Sequence, residues 1–183
     1  PAGAHPKHPL GWAEVQVHSA SNLKGVDRSG LSDPFVEVIV DQFGPIESGK
    51  TACLPKTLHP VWSDPGSGLV KLEVRSSTAR LVLRCCDKDR LLGRTLKSTF
   101  LGEAALDLTG LIESGGSTSG KQTLLLGPQE FVSNHSRFPP AKPSTLVQGD
   151  VTVSVAFIPW VPPPPPLGEL SVKVVMAEEL RAA

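Results

Sequence analysis

The chain has 183 residues, a formal net charge of zero and an apolar content of 39%. This length is enough for one domain with a hydrophobic core, and no apolar run is long enough to span a membrane. The zero net charge gives no reason to expect bulk attraction to nucleic acid, so any charged surface must be local. No secretory leader is visible at the start of the sequence.

The three cysteines are an odd number, which indicates free thiols rather than a disulfide framework. Cys85 and Cys86 are adjacent in a strand-like run, so their side chains should point to opposite faces. The spacing between Cys53 and this pair does not match a zinc site. We therefore expect reduced thiols and a cytosolic setting.

Short runs rich in Val, Leu and Ile alternate with turns that contain glycine and proline, which is typical of an all-β sandwich or barrel. Apolar and polar residues alternate within several of these runs, so one face of each should be buried. The sequence also predicts a flexible lead-in at residues 1–9, a turn at 41–49 and a long surface loop at 127–148. The predicted strands are residues 12–20, 35–40, 50–57, 69–74, 81–86, 100–108, 122–126 and 149–157.

A proline run at residues 162–166 indicates a stiff, extended spacer, or else a segment for a partner that reads polyproline. After it, residues 167–180 align with residues 10–23 without a gap, with Leu, Gly, Val, Val, Ala and Leu at matching places. Such an internal repeat indicates that a second, similar module begins there. The predicted units are the lead-in at 1–9, one module at 10–158, a proline-rich linker at 159–167 and the first strand of a truncated second module at 168–183.

Two acidic loops each follow a strand-like run, and together they carry four carboxylates, those of Asp27, Asp33, Asp87 and Asp89. Aspartates near Gly and Ser are common in plain turns, which is enough to explain each loop taken singly. Calcium takes six to eight oxygen ligands in loose geometry, which loops supply readily, whereas magnesium needs a tighter octahedron. Together the two loops therefore suggest one site for a hard cation, and calcium fits it better than magnesium.

The residues around these loops resemble those of a C2 domain, in order and spacing, over most of residues 10–158. The motifs that carry the resemblance are Val15-x-Val17, Ala20-x-Asn22-Leu23, Asp27-x-x-Gly30-x-Ser32-Asp33-Pro34-Phe35-Val36-x-Val38, Lys50-Thr51, Lys56-Thr57-Leu58-x-Pro60-Val61-Trp62, Leu81-x-Leu83-x-x-x-Asp87-x-Asp89 and Phe100-Leu101-Gly102-Glu103.

The resemblance implies an eight-stranded antiparallel Greek-key β-sandwich with calcium loops at one end, and calcium-dependent binding to phospholipid membranes. The predicted strand at residues 149–157 fits the permutation of this fold that has its extra strand at the C-terminus. The alternative is that this strand begins the next module.

One departure from the family pattern concerns the metal site. The family commonly has a fifth acidic residue late in the second loop, where this sequence has Ser98 and Thr99. A hydroxyl is a weaker, uncharged ligand, so we place Thr99 in the predicted site beside the four aspartates. The expected calcium affinity without lipid is then weak, about 10⁻⁴ M or worse. If the site is vestigial, the module is instead a calcium-independent protein-interaction domain.

The resemblance also implies that calcium bridges the loop carboxylates and lipid phosphates. Leucines at the loop tips are expected to enter the membrane interface while basic side chains meet anionic headgroups. Lys50 and Lys56 match part of a basic strand that binds phosphoinositide in some members of the family, or are simply a solvated strand face. The predicted lipid contacts are Leu31, Arg90, Leu91, Leu92, Arg94 and Lys97.

The module is similar to those of synaptotagmins, extended synaptotagmins and ferlins. This similarity implies a peripheral position on the cytosolic face of membranes, in trafficking, tethering or signalling, with a parent protein that can be membrane-anchored. The expected partners are an anionic phospholipid membrane, a neighbouring C2 domain in the same chain and a possible protein partner, but no nucleic acid. Serines and cysteines show no nucleophile-and-base pattern, so we predict no enzymatic activity.

Overall fold

The computed structural model describes residues 8–42, 46–91, 94–130 and 146–164, without the side chains of residues 89–97. Within these residues the chain forms eight β-strands and one short helix. In chain order they are β1 Gly11–Ser21, β2 Pro34–Asp41, β3 Glu47–Lys50, β4 Leu69–Val74, β5 Arg80–Leu91, β6 Arg94–Asp107, α1 Thr109–Glu113, β7 Gln122–Leu125 and β8 Asp150–Pro159.

The strands form two antiparallel four-stranded sheets, with the orders β4-β1-β8-β7 and β3-β2-β5-β6. This arrangement confirms the predicted all-β sandwich. β8 lies between β1 and β7, and it pairs with β1 from Ser21↔Asp150 to Gly11↔Pro159. Residues 149–157 are therefore part of this module's own sheet, and their assignment to the C-terminal-strand permutation stays a prediction.

The hydrophobic core lies between the two sheets and is built from every second side chain of their strands. Trp62 closes the core beside the connection from β3 to β4, where it is 3% exposed and its Nε1 donates to Ala52 O at 2.7 Å. The predicted alternation is confirmed in three strands, β1, β4 and β8, whose buried side chains include Ala13, Val15 and Val17, Val70, Leu72 and Val74, and Val151, Val153 and Val155. β2 does not alternate, because all its residues from Pro34 to Val40 are buried.

The predicted strand at residues 50–57 is wrong, because β3 covers Glu47–Lys50 and the chain is irregular after it. Thr51 ends the ladder by using its side chain: its Oγ1 accepts a hydrogen bond from Val36 N at 2.9 Å, in place of a strand carbonyl. Further along, Pro55 has no amide hydrogen to donate, and Lys56 has a φ of 54°. Both features are incompatible with a regular strand.

The predicted loop at residues 87–99 is also wrong, since β5 and β6 continue through it as a paired ribbon. The ladder runs from Asp87↔Thr99 through Asp89↔Lys97 to Leu91↔Arg94, with an irregularity between Asp89 and Arg90. Charged residues on a two-stranded ribbon can face water on both sides, so a polar composition does not exclude strands here. Threonines in the second arm of the ribbon also favour extended backbone.

Several predictions fall wholly or partly outside the described residues. They concern the lead-in through residue 7, most of the loop at 127–148 and the second module at 168–183. α1 has five residues, and no helix in the described ranges is long and apolar enough to cross a bilayer.

Candidate functional site

Asp33 and Asp87 meet where β2 begins beside β5. Pro34 pairs with Asp87 in the ladder, so Asp33 lies one residue beyond the paired segment. Asp33 N donates to Asp87 Oδ1 at 2.5 Å, and Lys88 N donates to Asp33 O at 3.0 Å. Asp87 is 0% exposed, whereas Asp33 is partly exposed. Two of the four predicted aspartates are thus adjacent, at the end of the sandwich where β2 begins.

The loop before β2 is held in shape by Ser32, a residue of the first acidic motif whose role the sequence does not indicate. Ser32 is 0% exposed, and its Oγ donates to Lys24 O at 2.9 Å and accepts from Val26 N at 3.2 Å. Gly25 is required because a Cβ at that position would lie 1.9 Å from Gly30 O. The loop therefore crosses itself closely and projects its tip into solvent.

Asp27 lies at this exposed tip. Its carbonyl accepts from Gly30 N at 2.9 Å, and Gly30 has a φ of 76°, as tight turns often require. Leu31 is partly exposed, and its carbonyl accepts from the amides of Val26 and Asp27 at 3.1 and 3.0 Å. These contacts define a turn, and they leave the Asp27 side chain exposed.

The segment after β3 makes contacts at the site that sequence reasoning missed. Lys56 N donates to Asp33 Oδ1 at 2.8 Å, and Thr57 N donates to Ser32 O at 2.8 Å. The sequence predicts a role for the Lys56 side-chain charge, whereas the structure shows its main-chain amide on the Asp33 carboxylate. The left-handed backbone at Lys56 that allows this contact has no Gly or Asn to signal it.

The ribbon of β5 and β6 carries the remaining predicted residues. Thr99 is directly opposite Asp87 in the ladder, and its side chain is partly exposed. Asp89 is paired with Lys97, and Arg90 with Thr95. Leu92 and the side chains of Asp89, Arg90, Leu91, Arg94 and Lys97 lie outside the described residues.

The described side chains provide part of a metal site. Within the described ranges, no group of three or more His, Cys, Asp and Glu side chains is arranged to do so. Asp33 and Asp87 are adjacent, Asp27 is exposed at a turn, and the Asp89 carboxylate is outside the described part. Calcium needs six to eight oxygen ligands, so this pair fits part of a calcium site without completing it.

A cavity of about 290 Å³ opens beside the acidic pair. It contains two lysines from different strands, Lys50 and Lys88, whereas Lys56 is not among its lining residues. The ammonium of Lys50 lies 3.7 Å from Glu37 Oε1 and 5.3 Å from the centre of the Phe35 ring. The full lining is Phe35, Lys50, Thr51, Cys53, Lys88 and Ser98.

None of the three cysteines forms a disulfide, as predicted, and Cys85 and Cys86 are buried. Desolvation raises the pKa of Cys86 to about 12, with a further contribution from the charge of Glu37. Desolvation also raises the pKa of Cys85 well above its ordinary value. Thiolate is the nucleophile and the metal ligand, so neither thiol is poised for either role at neutral pH.

The fold brings one histidine and one serine together, which the sequence did not indicate. His18 Nε2 and Ser154 Oγ are 2.9 Å apart although 136 positions separate them in the chain. Burial, followed by the positive charge of Lys121, lowers the pKa of His18. Both effects favour the neutral imidazole, which can form the hydrogen bond with Ser154 as donor or acceptor.

Comparison with known proteins agrees with this architecture. The family model described as the C2 domain matches residues 11–124. Tricalbin-1 of Saccharomyces cerevisiae is 24% identical over 154 residues, and tricalbin-3 of the same yeast is 31% identical over 146 residues. These matches cover 84% and 78% of this chain, but they span only 12% and 8% of the two tricalbins.

A solved structure shows the same fold. The C2A domain of plant extended synaptotagmin 1 superimposes with a TM-score of 0.59 and 21% sequence identity, covering 85% of this chain and all of that domain. The C2A and C2B domains of extended synaptotagmin 2 give a TM-score of 0.53 at 17% identity, covering 85% of this chain and 44% of that one. The sandwich topology, the loop motifs and the family match together show that this chain belongs to the C2 domain family.

Proposed function

We propose that this C2 module binds anionic phospholipid membranes in a calcium-dependent manner, through the end of the sandwich where β2 and β5 bring Asp33 and Asp87 together. The observation that supports this proposal is the hydrogen bond from the Asp33 amide to the buried Asp87 carboxylate, at 2.5 Å. It joins the two acidic loops that are far apart in the sequence.

Calcium would be held by Asp27, Asp33, Asp87 and Asp89, with Thr99 as an uncharged fifth residue. Neighbouring carboxylates repel one another without a cation, and a divalent cation relieves that repulsion. When bound, calcium supplies positive charge, and lipid phosphates can complete its coordination as further ligands. The hydrogen bonds from the backbone to Asp33 and Asp87 orient both side chains before any ion arrives.

Lipid would be contacted by the loops around the acidic pair. The loop tip offers the partly exposed Leu31, and the cavity beside Asp33 and Asp87 offers Lys50 and Lys88 for an anionic headgroup. Each basic side chain near an anionic surface adds about 1 kcal/mol of attraction. The proposal extends to Arg90, Leu91, Leu92, Arg94 and Lys97 on the ribbon, and to Lys56 on the neighbouring loop.

The cellular setting is part of the same proposal. We infer a peripheral position on the cytosolic face of membranes, in a parent protein that carries a further C2 domain after residue 167. Support comes from the reduced thiols, the family membership and the internal repeat between residues 10–23 and 167–180. The whole protein's role in trafficking, tethering or signalling remains a proposal, because this chain matches only about a tenth of its tricalbin relatives.

A second candidate function is a calcium-independent protein-interaction module. Two observations favour it: the hydroxyl of Thr99 at the position of the late acidic residue, and the lack of a three-carboxylate cluster among the described side chains. In that case the Asp33–Asp87 contact would be a structural hydrogen bond that holds β2 against β5.

The deciding experiment is co-sedimentation with phosphatidylserine vesicles, with calcium or with chelator, on the unchanged chain and on Asp87→Asn with Asp89→Asn. The matched control is Asp41→Asn with Asp107→Asn, which removes the same charge. Asp41 lies at the opposite end of β2, about 23 Å from Pro34 at strand spacing. The control separates a local effect from a change in net charge.

We expect calcium-dependent sedimentation that the control retains and that Asp87→Asn with Asp89→Asn loses. Equal sedimentation in calcium and chelator would indicate a basic surface alone and remove calcium from the proposal. No sedimentation in either condition would reject the membrane function and favour the protein-interaction module.

A further inference from the structure

The proline run that begins at Pro162 is a sequence feature that membrane binding does not use. Five consecutive prolines follow Val161, and the described residues include the first three of them, Pro162, Pro163 and Pro164. All four of these residues are exposed, and Val161 is 75% exposed although its side chain is apolar. Residues 161–164, which we call the proline segment, therefore present their side chains to solvent.

The start of the proline segment is fixed to the fold. The ladder between β1 and β8 ends with Gly11 opposite Pro159, and beyond it Trp160 N donates to Leu10 O at 2.9 Å. The Trp160 ring also stacks on the His8 ring, with 4.5 Å between their centres and 9° between their planes. Trp160 is thus held by both its main chain and its side chain, so the proline segment leaves the sheet from a defined point.

The proline segment starts at the end of the sandwich opposite the acidic pair. β1 runs from Gly11, beside the start of this segment, to Ser21, which precedes the first acidic loop. Its 11 residues at strand spacing place these two ends about 33 Å apart. A partner bound to the proline segment would therefore leave the other end of the sandwich free to contact a membrane.

The backbone of the proline segment is restricted before any partner binds. A proline ring holds φ at about −65°, and a residue that precedes proline is disfavoured in the helical region. Val161, Pro162 and Pro163 each precede a proline, and residues 161–164 form neither helix nor turn. These constraints favour the polyproline II conformation, in which the carbonyls make no internal hydrogen bond and can accept from a partner.

The sequence around the proline segment is uncharged. Residues 151–168 contain no Asp, Glu, Lys, Arg or His. A partner cannot form an ion pair with these residues, so recognition must use apolar contact with the proline rings and donors to the carbonyls. Grooves lined by aromatic side chains recognise polyproline II segments in SH3, WW and EVH1 domains.

We propose that the proline segment is a docking site for a protein domain that has an aromatic-lined, polyproline-binding groove. The four residues are about 12 Å long in the polyproline II conformation. Their restricted backbone lowers the entropic cost of binding, and the exposed Val161 side chain adds an apolar contact beside the prolines. This interaction goes beyond membrane binding and does not depend on it, because it uses neither calcium nor the acidic loops.

The test measures binding of the 183-residue chain to three purified ¹⁵N-labelled domains, one SH3, one WW and one EVH1 domain, with chelator and without lipid. NMR titration gives the dissociation constant and locates the contact on each domain. The test variant is Pro162→Ala with Pro163→Ala and Pro164→Ala. These positions follow the last described strand, so the variant should keep the thermal midpoint of the unchanged chain.

The control variant is Pro65→Ala with Pro128→Ala, which removes exposed prolines from two other loops. We expect at least one domain to show shift changes confined to its aromatic groove. The test variant should raise the dissociation constant by at least about tenfold, and the control should leave it unchanged. Because the proline segment is uncharged, the dissociation constant should change by less than about threefold between about 50 mM and about 500 mM salt.

Three results would overturn the proposal. Equal binding by the unchanged chain and the test variant would place the contact on another surface. Binding by none of the three domains would leave the proline segment as a spacer alone. Dimerisation of the chain that the test variant abolishes, in place of domain binding, would assign the segment to a second copy of the chain.

Discussion

At the scale of single residues, Ser32 determines the shape of the first acidic loop. Replacing it with alanine removes a buried hydroxyl that donates to Lys24 O and accepts from Val26 N. A buried carbonyl left without its donor costs about 1–3 kcal/mol. We therefore expect Ser32→Ala to lower the free energy of unfolding by that amount in urea denaturation.

The matched control for this prediction is Ser29→Ala in the same loop. Ser29 is exposed and its Oγ only accepts from Leu31 N at 3.4 Å, so its loss should change stability by no more than about 0.5 kcal/mol. Equal destabilisation by the two variants would contradict the role given to Ser32.

The part of the candidate site that consists of acidic residues was predictable from the sequence. Asp33 lies in a turn-rich motif, Asp87 follows a strand-like run, and the structure brings the two residues together. Two contributions could not be read from the sequence. The Lys56 amide reaches Asp33 through a left-handed backbone that lysine rarely adopts, and Ser32 acts through a hydroxyl that many loops carry.

At the scale of secondary structure, strands were predictable where one face is apolar and the other polar, as in β1, β4 and β8. The ribbon of β5 and β6 was missed because its sequence is rich in charged residues and shows no alternation of apolar and polar residues with a period of two. The end of β3 was missed because a Thr51 side chain replaces a strand carbonyl, which no periodicity reveals.

The buried arginine of β5, Arg84, offers a prediction at this scale. Arg84→Ala should destabilise the fold by about 3–5 kcal/mol, because it leaves two buried glutamates without their shared cation. Arg80→Ala is the control on the same strand and face. Arg80 pairs with Asp41 at 2.6 Å on the exposed end of the sheet, where such pairs contribute about 0–1 kcal/mol.

Urea denaturation of both arginine variants measures the difference. A loss below about 1 kcal/mol for Arg84→Ala would mean that water reaches the glutamates. The surroundings of Arg84, Glu37 and Glu103 would then be more open to water than their burial indicates.

At the scale of the whole molecule, the strand order makes β8 indispensable to the module. β8 is the last of the described strands in chain order, but it lies inside its sheet, between β1 and β7. It contributes Val151, Val153, Val155 and Phe157 to the core, each at most 6% exposed. Burial of four such side chains contributes about 6–12 kcal/mol, which is comparable to the entire stability of a domain.

Two truncations follow from this position of β8. A chain that ends at Pro164 retains all eight strands and should unfold with the same thermal midpoint as the 183-residue chain. A chain that ends at residue 148 lacks β8 and should show no cooperative transition, since β1 and β7 would each lose a neighbour and the core would open to water. Circular dichroism and calorimetry on the three chains measure both expectations. A cooperative transition without β8 would contradict the boundary of the module at residue 158 and would assign this strand to the unit that follows.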